Sequence, residues 1–102
     1  MIRHIVLARF RRDIGSGEIA AIFSDLEKLR GHIPGMLAFH GGCNTSPENL
    51  DRGYSHAFTV DFADAAARDA YLDHQAHKAA GSKLVAACEG GVEGIVVTDI
   101  AI

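Results

Sequence analysis

The chain has 102 residues, of which 48% are hydrophobic and 23% charged, and its formal net charge is −3. This composition predicts one globular domain over residues 1–102 and excludes a disordered chain. The chain lacks a basic stripe, so it is not expected to bind nucleic acid. It also lacks the roughly 20 consecutive apolar residues of a membrane span. We expect a cytoplasmic protein, because Cys43 and Cys88 lie too far apart in sequence to suggest a disulfide framework.

The first half of the chain predicts a strand, a helix and a second strand. The run HIVLARF, residues 4–10, is apolar and β-branched and predicts the first strand. Residues 16–32 carry one apolar stripe at helical spacing, so they predict an amphipathic helix that ends near Gly31. The stripe consists of Ile19, Ile22, Phe23, Leu26 and Leu29. The run GMLAFHGGC, residues 35–43, predicts the second strand, and the polar segment after it predicts a loop.

The second half predicts two more strands around an alanine-rich helical segment. The run YSHAFTVDF, residues 54–62, alternates as a strand does. Residues 63–88 predict helix, in one piece or two, and residues 92–102 predict the last strand. The order is β-α-β-β-α-β. We therefore predict the α+β class and a ferredoxin-like fold, a four-stranded antiparallel sheet with its helices on one face.

Both faces of this sheet carry apolar residues. In the first strand, Val6 points to one face and Leu7 to the other, and the last strand has the unbroken run Ile95, Val96, Val97. An antiparallel sheet with one solvated face alternates between apolar and polar residues instead. We predict that a second copy covers the face without helices, which makes a twofold homodimer through the sheet faces, a dimeric α/β barrel. The alternative is cover by a loop or the C-terminal tail.

The stretch YLDHQAHKAAG, residues 71–81, places Tyr71, His74 and His77 at intervals of three. A helix from residue 64 to residue 77 and a strand from residue 56 to residue 62 each span roughly 20 Å. We therefore expect His74 and His77 to lie beside His56, at the mouth of an apolar groove. Its predicted lining is Ile22, Leu26, Phe58 and Val60.

An apolar groove with a few polar groups is the usual form of a small-molecule site. Imidazoles exchange protons near neutral pH, and a phenol can donate a hydrogen bond to an oxyanion. The alternative is that these residues only pack, with solvated tips. His32 and His40 flank a turn and are expected at the surface.

A metal site is the other chemistry that histidines at this spacing suggest. His74 and His77 can share a helix face, and zinc would need a third ligand such as His56. No carboxylate or cysteine stands at a familiar ligand spacing. We therefore predict neither a functional metal nor another cofactor.

Several motifs together resemble the stress-responsive A/B barrel (Dabb) family over nearly the whole chain. The most specific are His4 in the first strand, the N-x-S-P-E loop at residues 44–48, the strand entry RGYSH, and the Y-x-x-H-x-x-H stretch. The resemblance implies a ferredoxin-like protomer. It also implies a homodimer whose two sheets face each other in a barrel.

The resemblance also implies roles for site residues. The chain is similar to a plant polyketide cyclase of this family, which performs an intramolecular aldol condensation without cofactor or metal. By motif match, His77 would be the base and Tyr71 would assist at the substrate oxygen. The matching pocket histidines would be His4 and His56, with His74 nearby.

This chain departs from the family pattern at three places. Gln75 stands where the family has proline, so we expect the helix to continue through the site and to rotate His77. Leu26 replaces a pocket tyrosine, and residues 78–88 are small and aliphatic rather than aromatic. These changes argue against a polyketide substrate.

Three functions follow as hypotheses. The first is a cofactor-free enzyme of aldol or cyclase type, with oxygenation as a weaker variant, that acts on a small hydrophobic carbonyl compound. The second is a non-catalytic stress-response or assembly protein whose dimer is the functional unit. The third is a small-molecule binder that uses the same pocket.

Overall fold

The computed structural model describes all 102 residues. Four strands form the sheet: β1 (Ile2–Ala8), β2 (Met36–Cys43), β3 (His56–Phe62) and β4 (Ile95–Ala101). Three α-helices pack on it: α1 (Ser16–Glu27), α2 (Ala65–Asp73) and α3 (Gln75–Ala87). Short 3-10 turns at Lys28–Gly31 and Gly91–Gly94 follow α1 and precede β4. None of the helices combines the length and apolar character needed to cross a membrane.

All neighbouring strands are antiparallel, in the order β2-β3-β1-β4. The predicted ferredoxin-like architecture is confirmed, with the second predicted helix divided into α2 and α3. The register sets the site, because directly paired residues point to the same face. His4 on β1 pairs with Val60 on β3 and with Asp99 on β4. His56 pairs with Ala8, at the opposite end of β1.

The expectation that Gln75 would let the helix run on is wrong. His74 is extended, with ψ 136°, and it ends α2. Its ring Nδ1 then accepts a hydrogen bond from the backbone N–H of Ala76, 3.0 Å away, and so caps α3. The first N–H groups of a new helix lack intrahelical acceptors, and the imidazole satisfies one of them. The capping side chain of His74 thus allows the helix to break here without a proline.

The core lies between the sheet and the helices. Its largest fully buried side chains are Tyr71, Phe62, Leu26 and Val60. Burial in β1 alternates, with His4, Val6 and Ala8 buried toward the helices. Tyr71 packs in this layer against the ring of Phe62, with the two rings tilted by 57° and their centroids 5.1 Å apart. A tyrosine thus stands at the centre of the apolar core.

The opposite face of the sheet has no helix over it. Ile5 and Leu7 are half-buried there, while Val96 and Ile100 are 39% and 47% exposed. The loop between β2 and β3 reaches only one end of this face, where Leu50 and neighbouring residues border a hollow of about 460 Å³. Neither this loop nor the C-terminal tail covers the apolar residues, so a single chain leaves them open to water.

Candidate active site

Three side chains from three elements, His4 of β1, Tyr71 of α2 and His77 of α3, meet beneath the join of α2 and α3. The ring centroids of Tyr71 and His77 are 4.3 Å apart, and those of Tyr71 and His4 are 5.9 Å apart. Tyr71 is completely buried, and His4 is only 4% exposed. The break at His74 redirects the chain, so α2 supplies the phenol and α3 supplies the imidazole of His77.

A cavity of about 360 Å³ opens beside this cluster, near the lower end of the range for small-molecule sites. His4 and His77 form part of its wall, and most other lining residues are apolar. The apolar lining consists of Val6, Leu26, Phe58, Leu72, Leu84, Val85, Val92, Ile95 and Val97. Leu72, Val92 and Val97 are between 41% and 68% exposed, so the opening itself is apolar.

Two polar atoms of the cluster have no partner. The Tyr71 hydroxyl and the His77 Nδ1 are both buried and make no hydrogen bond. Leaving a buried polar group unpaired costs about 1–3 kcal/mol, so native chains rarely keep one without a use. The two rings are in contact, and His77 lines the cavity, whereas Tyr71 is fully buried and is not among the lining residues.

Burial shifts the pKa values of the two groups in opposite directions. It raises the pKa of Tyr71 far above its ordinary value, so the phenol keeps its proton. Burial also lowers the pKa of His77, helped by the nearby His4 and His74 and opposed by the Leu72 backbone. The neutral imidazole is therefore favoured at neutral pH. The pair consists of a phenol that can donate a hydrogen bond and an imidazole that is ready to accept a proton.

Asp99 orients His4. The His4 Nδ1 lies 2.7 Å from a carboxylate oxygen of Asp99, and the other oxygen accepts a hydrogen bond from Arg68 at 3.2 Å. An ionised carboxylate can only accept, so the Nδ1 carries the hydrogen and the Nε2 is left for other contacts. Sequence reasoning missed Asp99 and Arg68. The only signal was one acidic residue inside an otherwise apolar last strand.

The expectation that His56 would join the cluster is wrong. Its ring packs against Phe10 and Phe23, with centroid distances of 5.2 and 6.3 Å, and its Nδ1 is 2.9 Å from the Ser55 hydroxyl. It lines a different groove, between α1 and β2. A single straight helix from residue 64 to residue 77 would bring His77 to the level of His56. In the structure, α2 ends at Asp73 and stops short of the His56 end of the sheet.

Three other predicted lining residues also lie outside the cavity. His74 is occupied as the cap of α3, and its ring faces His32 at 6.1 Å. Ile22 borders a groove between α1 and α3, and Val60 is fully buried in the core. Leu26 and Phe58 do line the cavity, and His4 lies in its wall. His32 and His40 are exposed, as predicted.

The hypothetical zinc set is not assembled. His56 lies at the far end of β3 from His77, and the His74 Nδ1 is bound to the backbone. Nowhere in the chain do three His, Cys, Asp or Glu side chains come together in an arrangement that could hold a metal ion.

Stability is expected to decrease in mild acid because of His77. An unfolded imidazole binds its proton near pH 6.5, whereas folded His77 binds its proton only at lower pH. The unfolded chain therefore takes up more protons, and the free energy of unfolding falls as the pH drops through about 6.5. Urea unfolding at several pH values checks this. His77→Gln should show a weaker pH dependence, and an unchanged dependence would contradict the assignment. Burial lowers the pKa of His56 too, so part of the effect should remain.

Comparison with known proteins decides the family. The model of the stress-responsive A/B barrel domain matches residues 2–102. The chain belongs to the stress-responsive A/B barrel family. The resemblance inferred from its motifs is therefore confirmed.

Individual relatives of this stress-responsive A/B barrel chain include proteins with and without a named reaction. The stress-response A/B barrel domain-containing protein HS1 of Arabidopsis thaliana is 34% identical over 76 residues, which cover 74% of this chain and 70% of that protein. A dimeric ferredoxin-like protein of unknown function from Jannaschia sp. CCS1 is 33% identical, with a TM-score of 0.92 over 99% of this chain and 98% of that one. The hydroxynitrile lyase of Passiflora edulis is 26% identical, with a TM-score of 0.83 over 99% and 92% of the two chains.

Proposed function

We propose that this A/B barrel protein is a cofactor-free enzyme that transfers protons on small hydrophobic carbonyl compounds, in a reaction of the aldol or lyase type. One observation carries the proposal. The Tyr71 hydroxyl and the His77 Nδ1 are buried and unpartnered on two rings in contact, and His77 lines an apolar cavity. A carbonyl substrate would supply the missing acceptor for the phenol and a proton for the imidazole.

The proposed step starts with the carbonyl group held by Tyr71. The neutral imidazole of His77 takes a proton from the carbon next to the carbonyl. The electron pair of that C–H bond forms the C=C bond of an enolate, and the negative charge moves to the carbonyl oxygen. The Tyr71 hydroxyl donates a hydrogen bond to this oxygen, where charge develops. The protonated His77 then returns the proton to carbon. In the aldol variant, the enolate carbon instead bonds to a second carbonyl carbon, whose C=O π bond breaks, and the protonated His77 gives its proton to the resulting alkoxide.

The environments of the two groups support this division of roles. Acid and base catalysts are recognised by surroundings that push their pKa values apart, and burial does this to Tyr71 and His77. His4 adds a second imidazole in the wall, oriented by Asp99. The likeness to the Passiflora edulis hydroxynitrile lyase supports lyase chemistry on this fold.

We also propose that the chain works as a homodimer through the open face of its sheet. Val96 and Ile100 are exposed there, beside the half-buried Ile5 and Leu7. Exposed branched side chains are unfavourable by about 25 cal/mol per Å² of apolar surface. The relative from Jannaschia is described as dimeric. Sedimentation at micromolar concentration should give two chains, and a monomer would contradict the proposal.

Proton exchange tests the chemistry without knowledge of the natural substrate. Acetophenone and small β-keto esters are incubated with the protein in D2O, and proton NMR follows the loss of the α-proton signal. Exchange faster than in buffer, and faster than with His77→Gln, is the expected result. If the protein speeds exchange of none of these compounds, the proposal that it is an enzyme is contradicted.

Proton exchange together with thermal unfolding in the presence of the same ketones separates the non-catalytic alternatives. The Arabidopsis thaliana relative is named for a stress-response domain and for no reaction, which favours a structural or assembly role as the second candidate. Ketones that raise the Tm without exchange would indicate a binding protein. Ketones that neither raise the Tm nor exchange would favour the assembly role.

A further inference from the structure

Gly81 interrupts the apolar stripe of α3 that lines the cavity. Four residues of α3 lie in the cavity wall at helical spacing: His77, Gly81, Leu84 and Val85. Gly81 is one turn beyond His77, the proposed base. Its position therefore determines how much space remains along α3 next to the reacting carbon.

Neither backbone conformation nor packing explains this glycine. It lies within α3, and its φ is not among the positive values of the chain. A Cβ placed on Gly81 would meet no heavy atom within 4 Å. Glycine inside a helix is less stable than alanine, and α3 uses alanine at several other positions. The protein thus keeps a destabilising residue where alanine would fit.

Gly81 also lies where the cavity meets the surface. A shallow groove of about 590 Å³ runs along the outside of α3. This groove shares four residues with the cavity: Leu72, His77, Gly81 and Val85. A side chain at position 81 would extend into open space at a residue that borders both.

We propose that Gly81 is the specificity-determining residue of the site. It selects ketones whose extended apolar substituent leaves the cavity over α3 and lies in the outer groove. This inference rests on the proposed function, since it places the carbonyl group of the same ligand at Tyr71 and His77. The substrate class is therefore a methyl or methylene ketone with an alkyl or alkylaryl tail.

The test compares a short and a long ketone, acetophenone and 4-butylacetophenone, in α-proton exchange and in binding by calorimetry. Wild-type protein should exchange both. Gly81→Leu should lower the exchange rate of 4-butylacetophenone at least tenfold more than that of acetophenone, the scale of a steric change of one or a few carbons in an apolar pocket. Gly81→Ala should show a smaller loss on the long ketone.

Gly17→Ala is the matched control, because Gly17 is also helical with nothing within 4 Å of an added Cβ, but it lies in α1 outside the cavity. Both alanine variants should raise the Tm, by roughly 2–8 °C where the glycine lies inside a helix. Only the Gly81 variants should discriminate between the ketones.

Two outcomes overturn the inference in distinguishable ways. If wild-type protein exchanges both ketones and Gly81→Leu shows the same ratio of the two rates, Gly81 does not determine specificity, and the proposed function stays intact. Absence of binding and exchange in wild-type protein for both ketones removes the proposed function and this inference together.

Discussion

His77→Ala should lower the rate of α-proton exchange by at least about 100-fold while the protein stays folded. Removal of a general base typically costs a factor of about 10²–10⁴. His77 is half-buried and its Nδ1 makes no hydrogen bond, so its loss breaks no side-chain hydrogen bond through that atom. NMR exchange measures the rate, and circular dichroism with sedimentation checks fold and assembly.

His32→Ala is the control for a lost imidazole, because His32 is exposed and lies outside the cavity. It should exchange like wild type. His77→Gln keeps more side-chain volume than alanine and separates the effect of packing from that of the base. If His77→Gln exchanged at the wild-type rate, another group would have to be the base, and the assignment would be wrong.

Tyr71→Phe should stabilise the protein and impair its chemistry. The buried hydroxyl has no partner, so its removal relieves an unpaired polar group and should raise the free energy of unfolding by about 1 kcal/mol. The same change removes the donor to the developing oxyanion, and loss of one such donor lowers the rate by about 10²–10³-fold. Urea unfolding and NMR exchange measure the two effects.

The other tyrosine supplies the matched control. The Tyr54 hydroxyl donates to the Glu93 carbonyl, 3.4 Å away, and lies outside the cavity. Tyr54→Phe should leave exchange unchanged and should not stabilise the protein. A Tyr71→Phe variant that is both less stable and fully active would show that the hydroxyl has a structural partner and no catalytic role.

Local patterns were sufficient to predict the sheet and its faces. The alternation from Phe58 to Phe62 and the apolar stripe through Leu26 follow directly from strand and helix periods, and both predicted elements form. The break at His74 was not predictable from propensity, because it depends on a ring nitrogen that reaches the N–H of Ala76. Secondary structure was thus easier to infer than the path of the chain past the site.

That path explains which site residues were placed correctly. The spacing of Tyr71 and His77 marked a candidate pair, but their ring contact depends on the turn between α2 and α3. His56 was misplaced because a straight helix was assumed. Asp99 was missed because its partnership with His4 depends on the register of β1 and β4, which a single polar residue in a strand does not reveal.

A crystal structure with a bound ketone that exchanges slowly tests the central claim most directly. The expected structure has the carbonyl oxygen at hydrogen-bond distance from the Tyr71 hydroxyl, about 2.7–3.0 Å, and the α-carbon against the imidazole of His77. A ketone bound elsewhere, with the Tyr71 hydroxyl paired to water or protein and the cavity filled by side chains, would contradict it.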